Sequence, residues 1–487
     1  MNDNLNDMLA RRTFLRRGAC AALGLTGLTS QLMAMRSIGA ALDGQQFNDY
    51  KALVCVFLFG GNDAGNTVIP YENGDQNYEF YAQQRTNLAI PKPELAGTVI
   101  APQGLGGRTF ALHPVMPFMA SQFAAGNASI LANVGTLLYP MTRTSYRDGS
   151  VERPSQLFSH SDQQDQWQLT KPDSVAGRGW GGRIADMLQA NGANANSNVS
   201  MNLSLDGQNI FQTGNTIQPF SLGQNGPISP NRGGLGGTSE REVIEQALLD
   251  MYAVESDPMH PNKSAMRKAV ADVSSRSMVL SEFISTELAN TSLPPRPDPA
   301  STLLRELDVV ARMIEIAPIL GHQRQIFFIG LGGFDNHDGL FGTTVFDGPH
   351  AQQLGRLDQA LQYFWNAMGL LNKRNEVTTF TASDFARTYR SNGNGSDHGW
   401  GAEHFIMGGT QMKNGGTMFG EYPSIEIDGN DDSGNRGRFV PTTSVEQYGY
   451  EFARWMGVPN SEMTTVFPNI QRFMDINDPS THLGILQ

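Results

Sequence analysis

Cysteine is nearly absent from this 487-residue chain, which has only Cys20 and Cys55. A disulfide framework is therefore excluded, and Cys55 sits in the apolar run "ALVCVFLFGG", where a thiol packs as a small hydrophobe. Positive charge is also scarce. Lys and Arg number 35 against 47 Asp and Glu, for a net charge of -12, and no Lys/Arg cluster forms the face that nucleic-acid phosphates need. Beyond the N-terminus no apolar run is long enough to span a bilayer, so no stable membrane span is expected. No G-x-G-x-x-G follows the first strand-like run, and "GLGG" at 330–333 is too little to replace it, which argues against a nucleotide-cofactor oxidoreductase.

What is present at the N-terminus is a leader pattern. "ARRTFLRRGACAALGLTGLTSQLMAMRSIGAA" has the pair Arg11 and Arg12, an uncharged Gly/Ala/Thr-rich middle from Gly18 to Met35, and small residues near Ser37 to Ala41. A positive head, a weakly apolar middle and a small-residue end make a signal peptide over 1–40, and the arginine pair marks twin-arginine (Tat) export. The competing reading, a retained anchor, is weakened by the shortness and glycine content of the middle. The expected partner is the Tat export machinery, and the expected location is periplasmic or secreted. Loss of the leader would remove five arginines and two aspartates and leave the remainder still more acidic.

From Lys51 onward, short Val/Ile/Phe-rich runs alternate with helical patterns, the signature of a mostly parallel α/β sheet with helices on both faces. The expected strands are "KALVCVFLFGGND", "ASILANVGT", "VSMNLSLDG", "RQIFFIGLGGFDNH" and "EVTTFTASDF"; the strongest helices are "STLLRELDVVARMIEIAPIL" and "HAQQLGRLDQALQYFWNAMGLLNKRN". In the second of these, Leu354, Leu357, Leu361 and Phe364 recur at helical spacing and read as core. With no internal repeat or strong boundary, residues 41–487 read as one domain with a loop insertion at about 215–240.

In such a sheet, ligands bind beyond the carboxyl ends of the strands, and those ends are polar here. Asp63 closes the first strand in "FLFGGND", a place that suits a cation ligand and equally a helix N-cap. Asp335 and His337 in "LGGFDNHDG" alternate along an extended chain and so face one side. The run "SDFARTYRSNGNGSDHGWGAEHF" at 383–405 brings Asp384, Asp397, His398 and His404 between glycines, a composition that suits a cation site and also an ordinary surface turn. A parallel sheet would deliver Asp63, Asp335, His337, Asp384 and His398 to one edge, where so many carboxylates and imidazoles need a cation or buried partners. A divalent metal is the preferred reading over a metal-free hydrogen-bond network, with Arg387 placed to offset a bound anion such as phosphate.

These segments, together with "RRTFL", "VFLFGGNDAGNTVIPY", "SHSDQQDQW" and a later "LDQAL", resemble the family of exported proteins called domain of unknown function 1501, in order and over nearly the whole chain after the leader. That family is similar in fold to the alkaline phosphatase superfamily, a three-layer sandwich whose members hydrolyse phosphate or sulfate esters at one or two metals beside a nucleophile. The resemblance implies metal ligation by Asp63, Asp335, His337, Asp384 and His398, with His404 as a second candidate for the late histidine. It favours Ser159 with His160 as the nucleophile and its neighbour; Ser161 and Thr144 are alternatives, and a plain helix cap also suits a Ser-His pair before an Asp/Gln-rich helix. The chain departs from the alkaline phosphatase pattern at Phe385, where a histidine would follow the metal aspartate, and in the close spacing of Asp335 and His337, so zinc, magnesium and calcium all stay open. "SLPPR" at 292–296 fits the sulfatase C/S-x-P-x-R motif formally but lies in a Pro-rich connector and reads as chance. Two functions follow: an exported metal-dependent hydrolase of a small phosphate or sulfate ester, or an exported binding or envelope-assembly protein that keeps the fold. An enzyme must orient Ser159 or an equivalent beside the metal; a binding protein need not.

Overall fold

The computed structural model describes residues 47–170, 177–228, 238–257, 265–295 and 301–487. The leader expected over 1–40, part of the expected insertion and Arg296 lie outside the described residues. Contacts cluster into two units, a larger one over 47–189, 196–225 and 292–487 and a smaller one over 190–195 and 226–291.

The strands are β1 (Lys51–Leu58), β2 (Val68–Glu72), β3 (Val99–Ile100), β4 (Thr109–Leu112), β5 (Ala128–Gly135), β6 (Asn202–Ser204), β7 (Phe220–Gly223), β8 (Gly226–Pro227), β9 (Arg324–Leu331), β10 (Val377–Ser383), β11 (Ala402–Met407), β12 (Met418–Phe419) and β13 (Thr443–Ser444). The helices used below are α1 (Ala64–Thr67), α2 (Tyr78–Arg85), α3 (Pro117–Ala124), α4 (His160–Leu169), α5 (Trp180–Ala190), α6 (Thr238–Ser256), α7 (Ala265–Ala289), α8 (Thr302–Glu315), α9 (Pro349–Leu370) and α10 (Val445–Met456). In the smaller unit α6 and α7 pair with one another, and α7 also meets β8.

The main sheet of the larger unit runs β12-β5-β11-β10-β1-β9-β6-β7, with β13 also on β5. All the apolar runs expected as strands contain one. Pairing of β1 with β9 and β10, and of β6 with β7 and β9, is parallel, whereas β11 is antiparallel to both β5 and β10. That reversed strand did not stand out in the sequence because Glu403 and His404 make "AEHFIM" look like site-bearing loop. β1 is the axis of the core: Ala52 to Leu58 are all buried, as a strand covered on both faces requires. Helix α8 packs on β9 and α9, α9 on α3, and α10 on β1. Among the described residues no helix is long and apolar enough to cross a membrane.

Register decides what reaches the carboxyl edge. Leu58 pairs with both Ser383 and Leu331, so β1, β9 and β10 end level with one another. Asp384 follows its strand at once, Asp335 comes after the "GGF" that follows β9, and Asn62 and Asp63 come after the "FGG" that follows β1.

Candidate metal centre

Gly60 is where these three segments meet. Its backbone has φ +111, and a Cβ there would come within 2.5 Å of the Asp335 nitrogen, so only glycine allows the loops after β1 and β9 to touch. Its N–H donates to Asp384 Oδ2 at 3.2 Å, and its carbonyl accepts from Arg387 Nη1 at 3.2 Å. Gly61, at φ +82, likewise leaves room for the Phe385 ring. That ring lies against the imidazoles of both His160 and His398, with centroids 4.8 and 4.7 Å away. Phe385 thus packs the cluster.

Three imidazoles turn the same edge toward Asp335. His160 Nε2 lies 3.4 Å from Asp335 Oδ2, His337 Nε2 lies 3.1 Å from Oδ1, and His398 Nε2 lies 3.5 Å from Oδ1. The Nε2 atoms of His337 and His398 are 2.9 Å apart. His160, Asp335 and His398 offer ligand atoms all within 4.8 Å of one another. The opposite nitrogen of each ring is engaged. Nδ1 of His160 meets Asp384 Oδ2 at 2.7 Å, Nδ1 of His337 meets Asp397 Oδ1 at 3.3 Å, and Nδ1 of His398 meets the Phe158 carbonyl at 2.6 Å. A carbonyl or carboxylate can only accept, so each Nδ1 is a donor, and an Nε2 that carries no proton presents its lone pair to the centre. This is how protein metal ligands are oriented: the far nitrogen is fixed by a carboxylate or carbonyl, and the near one is left for the ion. His160 Nε2 is moreover buried without a hydrogen-bond partner, its 3.4 Å approach to Asp335 being an ion-pair distance only. An orphaned buried nitrogen aimed at such a centre fits a cation.

Charges around the cluster are set unequally. The hydrogen bond to Asp384 raises the His160 pKa above its ordinary value, against the opposing effect of burial. Burial pulls His398 down. For Asp335, burial works upward, yet the hydrogen bond and charge of Arg387 outweigh it and hold the carboxyl below its usual range. Arg387 itself is buried and committed. Its Nη1 meets Asp335 Oδ1 at 2.5 Å as well as the Gly60 carbonyl, and Nη2 donates to the Ser396 carbonyl. The guanidinium expected to face a bound anion instead anchors Asp335.

The other expected site residues are placed as follows. Asp384 stands behind His160 and is fully occupied, accepting from that ring, from Gln164 Nε2 at 2.9 Å and from Gly60. Asp63, the carboxylate expected from the first strand, is buried in an ion pair with Arg85 of α2 and contributes no atom to the cluster. His404 lies on β11 in the core, its ring stacked on Tyr448 at 6.0 Å and edge-on to Trp167, with neither nitrogen hydrogen-bonded. Burial drives its pKa down to about 3. Ser159 is the N-cap residue of α4; its Oγ donates to Asp162 Oδ2 at 2.5 Å and leaves the backbone cap unfilled. Sequence reasoning assigned His160 to the nucleophile's surroundings; its ring stands with His398 and Asp335 in the group that could hold a metal ion. It passed over Gln164 and the Phe158 carbonyl. Phe158 has φ +74, unusual for an aromatic residue, and no side-chain pattern announces a functional backbone oxygen.

A sequence model of the family described as "Protein of unknown function (DUF1501)" matches residues 50–442, most of the chain. No curated protein matches the chain. Among solved structures it is similar to Ps i-CgsB in complex with k-i-k-neocarrahexaose, at 11% identity and a TM-score of 0.35, over 88% of this chain and 78% of that one. A second structure of Ps i-CgsB is similar at 11% identity and a TM-score of 0.36, over 87% of this chain and 77% of that one. Likeness at that level carries no argument about chemistry.

Proposed function

The chain belongs to the DUF1501 family, and we propose that it is an exported metal-dependent hydrolase of phosphate or sulfate esters, built on an alkaline phosphatase-like three-layer sandwich with helices on both sheet faces. The observation that carries this reading is the convergence of three Nε2 atoms on Asp335 with every Nδ1 already engaged. Three imidazoles and a carboxylate suit zinc better than magnesium or calcium, which prefer all-oxygen shells. A bound zinc ion would supply Lewis acidity toward an ester oxygen and toward water.

The chain's own groups do the rest. His160, His398 and Asp335 would hold the ion, with His337 Nε2 beside them as a further ligand; Asp384 and Gln164 orient His160, and Arg387 fixes Asp335. The side chains of His337 and Asp335 remain 46% and 45% exposed, so the centre is open on one side, as a catalytic metal site must be and a structural one need not be. Ser159 directly precedes His160 at the start of α4, where backbone N–H groups favour an anion, and its hydroxyl would have to leave Asp162 to attack. The arginine-pair leader supports delivery by the Tat machinery to the periplasm or beyond. The second reading, a non-catalytic binding or envelope-assembly protein, is supported by that same occupied hydroxyl.

Elemental analysis of protein recovered from the periplasmic fraction without chelator, with assays on aryl phosphate and aryl sulfate, tests the proposal. Stoichiometric metal is expected, together with its loss in His160→Ala and His398→Ala and turnover of one of the esters. Turnover abolished in Ser159→Ala would make that serine the nucleophile. Metal without turnover would move the assignment to the binding protein, and a metal-free wild type would sink the metal centre.

A further inference from the structure

With Arg387 committed to Asp335, Gly60 and Ser396, the proposed ester needs another cation for its negative charge. The loop after Asp428 supplies two. It is wound around the buried Asp432, whose carboxylate accepts from the backbone nitrogens of Asp428, Gly434, Gly437 and Arg438 at 2.8–3.0 Å. A backbone fixed at these points presents its side chains in fixed positions. Arg436 Nη1 meets Asp397 Oδ2 at 2.5 Å, and Asp397 in turn holds His337. Arg438 Nε donates to the His398 carbonyl at 2.8 Å, and its guanidinium carbon lies 4.2 Å from the centroid of the Phe158 ring.

A closed triangle results. The Phe158 carbonyl fixes the His398 ring, the His398 carbonyl fixes Arg438 Nε, and Arg438 stacks on Phe158. The guanidinium is held on one edge and one face, and among the described residues no carboxylate forms a close ion pair with it, although the charges of Asp397 and Asp432 act on it from farther away. Arg436, by contrast, is neutralised by Asp397. A half-buried arginine fixed on its Nε side, beside a ligand of the candidate metal and without a close ion pair, has its two Nη groups left for a tetrahedral oxyanion, which a guanidinium fork matches.

We infer that Arg438 is the anion-recognition residue of this centre: it binds the non-bridging oxygens of the phosphate or sulfate group, and Asp432 preorganises the loop that carries it. The inference deepens the hydrolase reading and rests on it. Calorimetric titration with inorganic phosphate and inorganic sulfate, on metal-loaded wild type, Arg438→Gln and the exposed control Arg356→Gln, tests it. Glutamine keeps a donor for the His398 carbonyl but removes the charge, so metal content reports whether the site survives. The expected result is a loss of affinity of roughly ten- to a hundredfold in Arg438→Gln at unchanged metal stoichiometry, with the control near wild type. An aryl ester should show the same change in KM. Wild-type affinity in Arg438→Gln overturns the assignment, and loss of metal with loss of anion binding reduces Arg438 to a support for His398. A wild type without metal would refute the hydrolase reading separately, because the same titration on metal-free protein still shows whether anion binding depends on Arg438.

Discussion

Replacing Arg85 by methionine should destabilise the protein severely while leaving the metal ligands intact. Arg85 is buried and pairs with the equally buried Asp63. Its Nη1 donates to the carbonyls of Thr388 and Tyr389 at 3.1 and 3.0 Å, its Nε donates to Asn66 Oδ1 at 3.2 Å, and its guanidinium lies 5.2 Å from the Tyr389 ring centroid. Burial works against the charged guanidinium, but the Asp63 carboxylate and the nearby tyrosines more than restore it. Without Arg85, the buried Asp63 carboxyl would have an Oδ1 that is already unpartnered and an Oδ2 that has just lost its ion pair. Breaking one side of such a pair costs about 3–5 kcal/mol. At roughly 2 °C per kcal/mol for a large unit, the melting temperature should fall by about 6–10 °C. Asp63→Asn should cost a comparable amount, whereas Asp63→Leu with Arg85→Met, which removes both charges, should recover much of the loss.

Thermal and urea unfolding at neutral pH, with metal content measured on the same samples, is the assay. Variants that are less stable but fully metallated, where they remain folded, are expected. An Asp63→Asn protein that melts like wild type but has lost its metal would refute this reasoning and return Asp63 to the ligand set that the family resemblance implies.

Metal affinity should fall as pH drops, and His160 should set where the fall begins. Its proton is held more tightly than at the ordinary 6.5 because of Asp384, so competition with the ion starts above that value. Chelator competition at stepped pH measures it, and an onset below 6.5 would contradict the raised His160 pKa. The metal-free protein should show the opposite sign for this one group: a raised folded pKa contributes stability that is complete below 6.5 and is lost as pH rises through the raised value. Difference unfolding curves of wild type and His160→Gln, both metal-free, isolate that contribution. Asp432→Ala removes the acceptor of four backbone N–H groups and should cost roughly 2–4 kcal/mol, with phosphate affinity falling alongside; phosphate affinity unchanged in a folded variant would detach the loop from recognition.

The sequence disclosed the strands and the residue types beyond their ends, because buried parallel strands are written as apolar runs and the polar residues that follow have only one edge to occupy; that the ends are level came from the register. It did not disclose how far beyond the strand a carboxylate must lie to reach the centre. Asp384 directly follows β10 and is drawn back onto the Gly60 nitrogen and the His160 ring, whereas Asp335, set farther out by the glycines after β9, reaches the Nε2 atoms. Asp63 also stands clear of its strand, but α2 brings Arg85 to it, and nothing near Asp63 in sequence says which carboxylate will take that arginine. His404 needed a different inference. "HFIM" has the apolar content of a buried strand, and reading it so would have placed the histidine among Trp167 and Tyr448 rather than in a loop. The common cause is that ligand spacing is a property of loops while burial is a property of strands. Sequence periodicity reports the second directly; the first depends on close approaches such as Gly60 against Asp335, which only the assembled chain defines.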